Sequence, residues 1–264
     1  PQLKNSMNKR DYFSVWTGKI KPNRVIDLKV LKKLFLILYK KIETDGYFQK
    51  YFGFYCEDQE EVAGELGYDL DDVMFIHLKK ENLFPITSQI ENYSEDDLFD
   101  VLEFLHDYSS KGIDGFYHQH NGCGYHWEEF NDKEGQLYFR EQINPILKDY
   151  ANGFELSKDG EILQLADSGL SHLFDADVPT SDKENIETKI NNAVLKFRRY
   201  KSTMDERQDS IRELVDVLEY LRPKAKEFLE SKDESDLFNI ANNFGIRHHN
   251  EKQKNKYDVA IWHS

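Results

Sequence analysis

The sequence VIDLKVLKKLFLILYKKI, residues 25–42, decides the fold class of this chain. Apolar side chains recur in it at intervals of three and four residues, and lysines occupy several positions between them. This spacing is typical of an amphipathic helix whose apolar stripe is buried. The segment therefore predicts a long core helix in a mainly α-helical protein.

Further segments show the same helical spacing. Ser94 and Asp97 form a capping-box pattern at the start of one of them, and Pro145 and Pro223 predict a kink or restart inside two others. Phe154–Leu156 and 161–165 flank Asp159-Gly160, which predicts a small β-hairpin. The further helices are expected at residues 69–82, 94–111, 136–150, 185–201, 205–229 and 235–245, with a last one starting near Tyr257.

Turn-forming residues cluster at 175–184, where apolar content is low. We therefore place a domain boundary there. Residues 1–180 are predicted to form an acidic, mostly helical sensor or regulatory region that includes the hairpin. Residues 181–264 are predicted to form an antiparallel helical bundle. The sequence stops within the expected last helix, which predicts that the bundle is truncated.

Charge is distributed unevenly along the chain. The net charge is −14, which argues against a protein that coats nucleic acid through general electrostatics. Residues 183–264 hold 16 basic and 15 acidic side chains, whereas residues 1–182 hold 19 and 34. Only the C-terminal part is therefore expected to approach a phosphate backbone.

A dense polar cluster, Asn242-Asn243-Phe244-Gly245-Ile246-Arg247-His248-His249-Asn250, lies in that part of the chain. Arginine offers a fixed positive charge for a phosphate, and an imidazole titrates near neutral pH. Together they are components of an RNA-cleaving site that needs no metal. The alternative is that these side chains cap or pair with helix ends.

The short helices, with Arg247-His248 near the start of the last one, resemble the HEPN superfamily of defence ribonucleases, toxins and abortive-infection proteins. The resemblance covers about 80 residues. It implies metal-independent RNA cleavage in bacterial defence, a homodimer, and a catalytic set of Arg247, His248, His249 and Asn250. Family members carry a histidine four to six positions after the arginine, but residues 251–253 are Glu, Lys and Gln. The alternative is a non-catalytic HEPN-like module that dimerises and binds a partner protein or a nucleotide.

A second group of basic residues lies upstream of that cluster. Lys196, Arg198, Arg199 and Lys201 alternate with Phe197 and Tyr200. Basic and aromatic side chains interleaved in this way are typical of surfaces that bind single-stranded RNA. The alternative is an amphipathic helix end whose long side chains lie along apolar surface.

After the helix at residues 94–111 the sequence predicts a loop rich in histidine, glycine and tyrosine. Four potential metal ligands lie close together in it: His118, His120, Cys123 and His126. Nitrogen and thiolate ligands in such a segment could hold zinc. Zinc sites usually combine ligands from two separated segments, however, and ligands this close in sequence strain a tetrahedron. The alternative to a zinc site is a surface loop of packed histidines and aromatics. The proposed RNA cleavage is expected to need no cofactor.

The longest apolar run, Leu34–Tyr39, is far shorter than the roughly 20 residues that a membrane helix needs. The N-terminal residues are polar and do not resemble a secretory signal. These observations predict a cytoplasmic protein with no membrane partner, and its two cysteines are expected to be reduced.

Overall fold

The computed structural model describes residues 12–19, 25–165, 178 and 180–243, with side chains up to residue 239. The chain divides into two compact units, Pro1–Ile162 and Leu163–Ser264. The boundary predicted from the sequence, between residues 180 and 181, lies further along the chain. The described part is mainly helical and contains small two-stranded antiparallel sheets, which confirms the predicted fold class.

Short and long helices alternate with hairpins in the first unit. Its helices are α1 (Phe13–Trp16), α2 (Leu28–Thr44), α3 (Gln49–Phe52), α4 (Leu70–Leu78), α5 (Ile86–Gln89), α6 (Glu95–Asp107) and α7 (Asp132–Lys148). Its strands are β1 (Phe54–Cys56), β2 (Glu60–Val62), β3 (Lys111–His118), β4 (Gly124–Asn131) and β5 (Phe154–Leu156). The short strand β6 (Ile162–Gln164) pairs with β5, at the hairpin predicted from Asp159-Gly160.

The core of this unit is formed by α2, α6 and α7. Each helix buries side chains spaced three or four residues apart, as the sequence predicted. Fully buried positions are Leu31, Phe35 and Ile42 of α2, Leu98, Leu102 and Leu105 of α6, and Phe139, Ile143 and Leu147 of α7. Burying a side chain of this size contributes about 1.5–3 kcal/mol, so the packing of these three helices stabilises the first unit.

Side-chain caps fix where the helices begin. The Asp27 carboxylate accepts from the backbone N–H of Val30 at 2.9 Å, so α2 begins at Leu28 and not at residue 25. Ser94 and Asp97 form the predicted capping box of α6. The Asn131 side chain caps α7, which therefore begins at Asp132, before the predicted residue 136.

Neither proline ends its helix, so a restart at these positions is excluded. Pro145 lies inside α7, and Pro223 lies inside a 25-residue helix of the second unit. A proline removes one hydrogen bond from a helix. In α7 the buried stripe ending at Leu147 continues past Pro145, so packing holds the helix together there.

The segment after α6 was expected to be a loop, and this expectation is wrong. It forms the hairpin β3–β4, which has eight residues in each strand. Gly112 and Gly115 weaken the strand pattern in the sequence. Each is needed for close approach, because a Cβ on Gly112 would lie 2.1 Å from Cδ2 of Trp127 and one on Gly115 would lie 2.2 Å from the His126 carbonyl oxygen.

In the second unit a short π-helical turn, Lys183–Glu187, leads into α8 (Thr188–Arg198). It is followed by α9 (Met204–Phe228) and α10 (Ser231–Asn243). Helices α8 and α9 pack against each other. Arg222 of α9 lies 4.1 Å from the ring centroid of Phe238 in α10 and donates to Glu234 at 2.6 Å. The predicted helix near Tyr257 lies outside the described residues.

Candidate metal centre

The register of the β3–β4 hairpin places two histidines on one face. His118 pairs with Gly124, and Phe116 pairs with His126. Paired residues of an antiparallel ladder point to the same face, and so do residues two apart on one strand. The imidazoles of His118 and His126 are therefore diagonal neighbours, with ring centroids 5.1 Å apart.

The turn between these strands returns Cys123 to the same face. Asn121 and Gly122 adopt left-handed backbone conformations, with φ of 48° and 77°. Such conformations are accessible to glycine and asparagine at little cost, and they let the chain reverse within a few residues. The Cys123 sulfur thereby comes within 3.4 Å of Nε2 of His126.

A fourth group comes from the β1–β2 hairpin, more than 60 residues earlier in the chain. Cys56 ends β1 and is 1% exposed. Phe54, two residues before it on the same face, packs on the His126 ring with centroids 4.4 Å apart. The Gln49 side-chain amide makes two hydrogen bonds to the backbone of β4. It donates to the Tyr125 carbonyl at 2.9 Å and accepts from the Trp127 N–H at 3.2 Å. These contacts hold α3 and the β1–β2 hairpin against β4.

The ligand atoms of Cys56, His118, Cys123 and His126 lie within 4.8 Å of one another. The Cys56 sulfur is 3.7 Å from Nδ1 of His118. A tetrahedral Zn²⁺ with Zn–S of about 2.3 Å and Zn–N of about 2.0 Å places its sulfur and nitrogen ligands roughly 3.5 Å apart. The separations therefore fit one zinc ion held by two sulfurs and two nitrogens.

Asp58 determines which nitrogen of His118 faces the site. Its Oδ2 lies 3.0 Å from Nε2 of His118, on the opposite side of the ring from Cys56. A neutral imidazole that donates its Nε2–H to this carboxylate presents the lone pair of Nδ1 to the sulfur cluster. Carboxylates orient metal-binding histidines in this way in many zinc sites.

The charge of the four groups suits a largely buried metal. Two thiolates and two neutral imidazoles balance the charge of Zn²⁺, and Cys56 and His126 are both buried. Burial and the adjacent His118 lower the pKa of His126, which favours the neutral form of this imidazole. Loss of solvent contact and the adjacent Cys56 raise the pKa of the Cys123 thiol. Metal coordination would oppose this last effect by stabilising the thiolate.

The four groups that the structure brings together differ in one member from the ligands predicted from the sequence. His118, Cys123 and His126 converge as predicted, but His120 does not join them. Its Nδ1 lies 2.9 Å from Oδ1 of Asp58, and 52% of its side chain is exposed. Cys56 takes the fourth position, and it could not be predicted from the sequence because only the fold brings β1 beside β4. The remaining signal in the sequence was that Cys56 is the chain's one other cysteine.

The basic residues predicted to bind RNA have internal partners. Lys196 forms an ion pair with Glu213 at 2.8 Å. Arg198 is 7% exposed and donates to the Gln164 carbonyl at 3.0 Å. Arg199 follows it as the C-terminal cap of α8, and the Lys201 ammonium lies 4.9 Å from the centroid of the Tyr200 ring. RNA binding by these residues stays a prediction.

The predicted catalytic residues Arg247, His248, His249 and Asn250 lie outside the described residues. The helix that precedes them, α10, is described as far as Asn243.

Comparison of the chain with family models, curated proteins and solved structures gives no match. None of the described helices is both long enough and apolar enough to cross a membrane.

Proposed function

We propose that this chain is a zinc-binding protein in which one Zn²⁺ joins the β1–β2 and β3–β4 hairpins. The observation that carries the proposal is the convergence of Cys56, His118, Cys123 and His126 from two distant segments. Four protein ligands fill the coordination sphere of zinc, which is typical of structural sites and leaves no position for a substrate. The ion therefore stabilises the fold and takes no part in catalysis.

The shortness of the β1–β2 hairpin gives an energetic reason for such an ion. β1 and β2 have three residues each, and an isolated two-stranded hairpin is marginally stable in water. A ligand that binds only the folded state adds about 4 kcal/mol when its concentration is 1,000 times its Kd. This contribution is large beside the stability of a typical domain.

The zinc content of untagged, purified protein tests the proposal. We expect one zinc per chain, and less than a tenth of that in Cys56→Ser and Cys123→Ser. His77→Gln is the matched control, because His77 contacts Phe104 and Tyr108 elsewhere in the same unit. Cobalt(II) substituted into the protein should show a tetrahedral spectrum with a thiolate charge-transfer band.

Wild-type protein that binds no zinc, or that holds cobalt without thiolate ligation, would contradict the proposal. Thermal unfolding gives a second measurement. A chelator should lower the Tm of the wild-type protein and leave the Tm of Cys56→Ser nearly unchanged.

RNA cleavage by the C-terminal segment is a second proposal, supported by the sequence of Arg247 and its adjacent imidazoles. In this proposal Arg247 holds the scissile phosphate, and His248 or His249 assists proton transfer from a 2′-hydroxyl. Incubating RNA with wild-type protein and Arg247→Ala, in chelator, tests it. Equal products from both proteins, or none from either, would remove the ribonuclease proposal. A dimer without cleavage would support the non-catalytic alternative.

A further inference from the structure

A cavity of about 560 Å³ opens beside the β1–β2 hairpin, within the first unit. Its walls come from the end of α2, the end of α3, both strands of the hairpin, the segment before α4 and the loop before α5. It is large enough for a small organic molecule.

Aromatic rings and carboxylates dominate the chemistry of this cavity. Of its twelve lining residues, five are aromatic and three are glutamates, and none of these twelve is a lysine, arginine or histidine. The residues that carry the argument are Glu43, Phe52, Tyr55, Glu61, Tyr68 and Phe84. Aromatic faces attract cations through their quadrupoles, and carboxylates attract them directly. Both features therefore select a positively charged ligand.

Tyr55 and Glu61 form a cross-strand pair that aims one ring and one carboxylate in the same direction. They are directly opposite in the β1–β2 register, so their side chains share a face of the hairpin. Cys56, the next residue on β1, points to the other face. The hairpin thus offers the candidate metal ligand on one face and an aromatic–acidic pair on the other. None of the four candidate metal ligands lines the cavity.

Solvent exposure of the tyrosines is consistent with a ligand surface. Tyr55 is 63% exposed and Tyr68 is 64% exposed, so both rings can be reached from solvent. Residues 1–182 also carry a formal charge of −15, so the field around the cavity draws cations towards it. Glu43 and Glu61 together provide more than one anionic contact.

We propose that this cavity binds an aliphatic polyamine. Its ammonium groups would pair with Glu43 and Glu61, and its methylene chain would lie against Tyr55, Tyr68 and Phe84. Several separated carboxylates favour a ligand with several positive charges over a ligand with one. The proposal stands independently of zinc binding, because none of the four candidate metal ligands lines the cavity.

Calorimetric titration of spermidine into the purified full chain, at physiological salt, tests the proposal. We expect saturable binding of one spermidine per chain, and no binding of a neutral diol of similar chain length. Tyr55→Ala and Glu61→Gln should each weaken the binding by about 3- to 30-fold, the range that a cation–π contact or an ion pair provides. Because both side chains are exposed, neither variant is expected to unfold the protein.

Matched controls separate this site from general attraction to an acidic surface. Glu129→Gln removes an exposed charge from β4, and Tyr117→Ala removes an exposed ring from β3, both outside the cavity. Neither should change the affinity for spermidine by more than about twofold. Absence of binding, or equal weakening in the control and cavity variants, would overturn the proposal. Preferential binding of choline would overturn the assignment to polyamines.

Discussion

Oδ2 of Asp58 lies 3.0 Å from Nε2 of His118. The other ring nitrogen of His118 faces the Cys56 sulfur at 3.7 Å. Asp58 lies in the three-residue turn between β1 and β2. The hairpin that carries Cys56 therefore also carries the carboxylate that orients His118. This turn closes through Glu60, whose φ is 62°.

Asp58→Asn should therefore weaken zinc binding without abolishing it. An amide retains the shape of the side chain but loses the charge that strengthens its hydrogen bond to the imidazole. Loss of such an outer carboxylate typically costs 10- to 100-fold in metal affinity, so we expect a change of about that size. Competition with a chromogenic chelator measures it. Glu128→Gln on β4 is the control, and an Asp58→Asn affinity equal to that of the control would contradict the orienting role.

His120→Ala should retain one zinc per chain. His120 pairs with Asp58 and lies outside the four-ligand group, so its removal leaves all four ligands in place. His126→Ala should lose the metal, because its Nε2 faces the Cys123 sulfur directly. Metal analysis of the two variants distinguishes the ligand set proposed from the structure from the one predicted from the sequence. Loss of zinc from His120→Ala would favour the latter.

Asp132 should contribute to the resistance of the first unit to acid. Partial burial would raise its pKa, but hydrogen bonds from Lys50 and Tyr51 hold the pKa of this carboxyl below its usual value. The Lys50 ammonium lies 2.8 Å from both carboxylate oxygens. A depressed folded-state pKa gives stability that is present above the unfolded pKa of about 3.9 and is lost as pH falls through the folded value.

Asp132→Asn is accordingly expected to lower the free energy of unfolding at neutral pH by about 1 kcal/mol or less, since the pair is partly solvated. Its stability should also decline less steeply than that of the wild type below about pH 4. Urea unfolding at several pH values measures both effects. Glu81→Gln, on an exposed carboxylate, serves as the comparison. Parallel pH curves for the wild type and Asp132→Asn would show that the ion pair adds no stability.

Gly135→Ala should destabilise the protein, although alanine normally favours a helix over glycine by about 1 kcal/mol. Gly135 lies in the first turns of α7, where its Cα faces the backbone of Ser110. An added Cβ would lie 2.4 Å from Cα of Ser110, so backbone would have to move. Overpacking of this kind costs about 1–3 kcal/mol. Urea unfolding measures the loss, and Lys133→Ala, an exposed change in the same helix, should alter stability by less than about 0.5 kcal/mol.

Features encoded within a few residues could be predicted from the sequence. The Ser94–Asp97 capping box, the buried stripe of α2 and the Asp159-Gly160 turn each depend on neighbours in the chain. The β3–β4 hairpin was missed because glycines replace the side chains that would otherwise show strand alternation. They are required by contacts with Trp127 and the His126 backbone, which the sequence does not reveal.

The candidate metal centre could be predicted only in part, because it combines neighbouring residues with one from a distant segment. His118, Cys123 and His126 are close in sequence, and their spacing indicated a metal site. Cys56 could not be added, because only the packing of Phe54 on His126 and the Gln49 contacts to β4 bring it near. Four ligands so close in sequence would strain a tetrahedral site. A fourth ligand from a distant segment, Cys56, would relieve that strain.

Cys56 and His118 are separated by 62 positions in the chain. During synthesis Cys56 leaves the ribosome long before the groups it meets in the folded protein. The four ligands cannot come together until residue 126 has also emerged, by which time most of the first unit has been made. Zinc could then join the two hairpins before α7, the last helix of the core, has been synthesised.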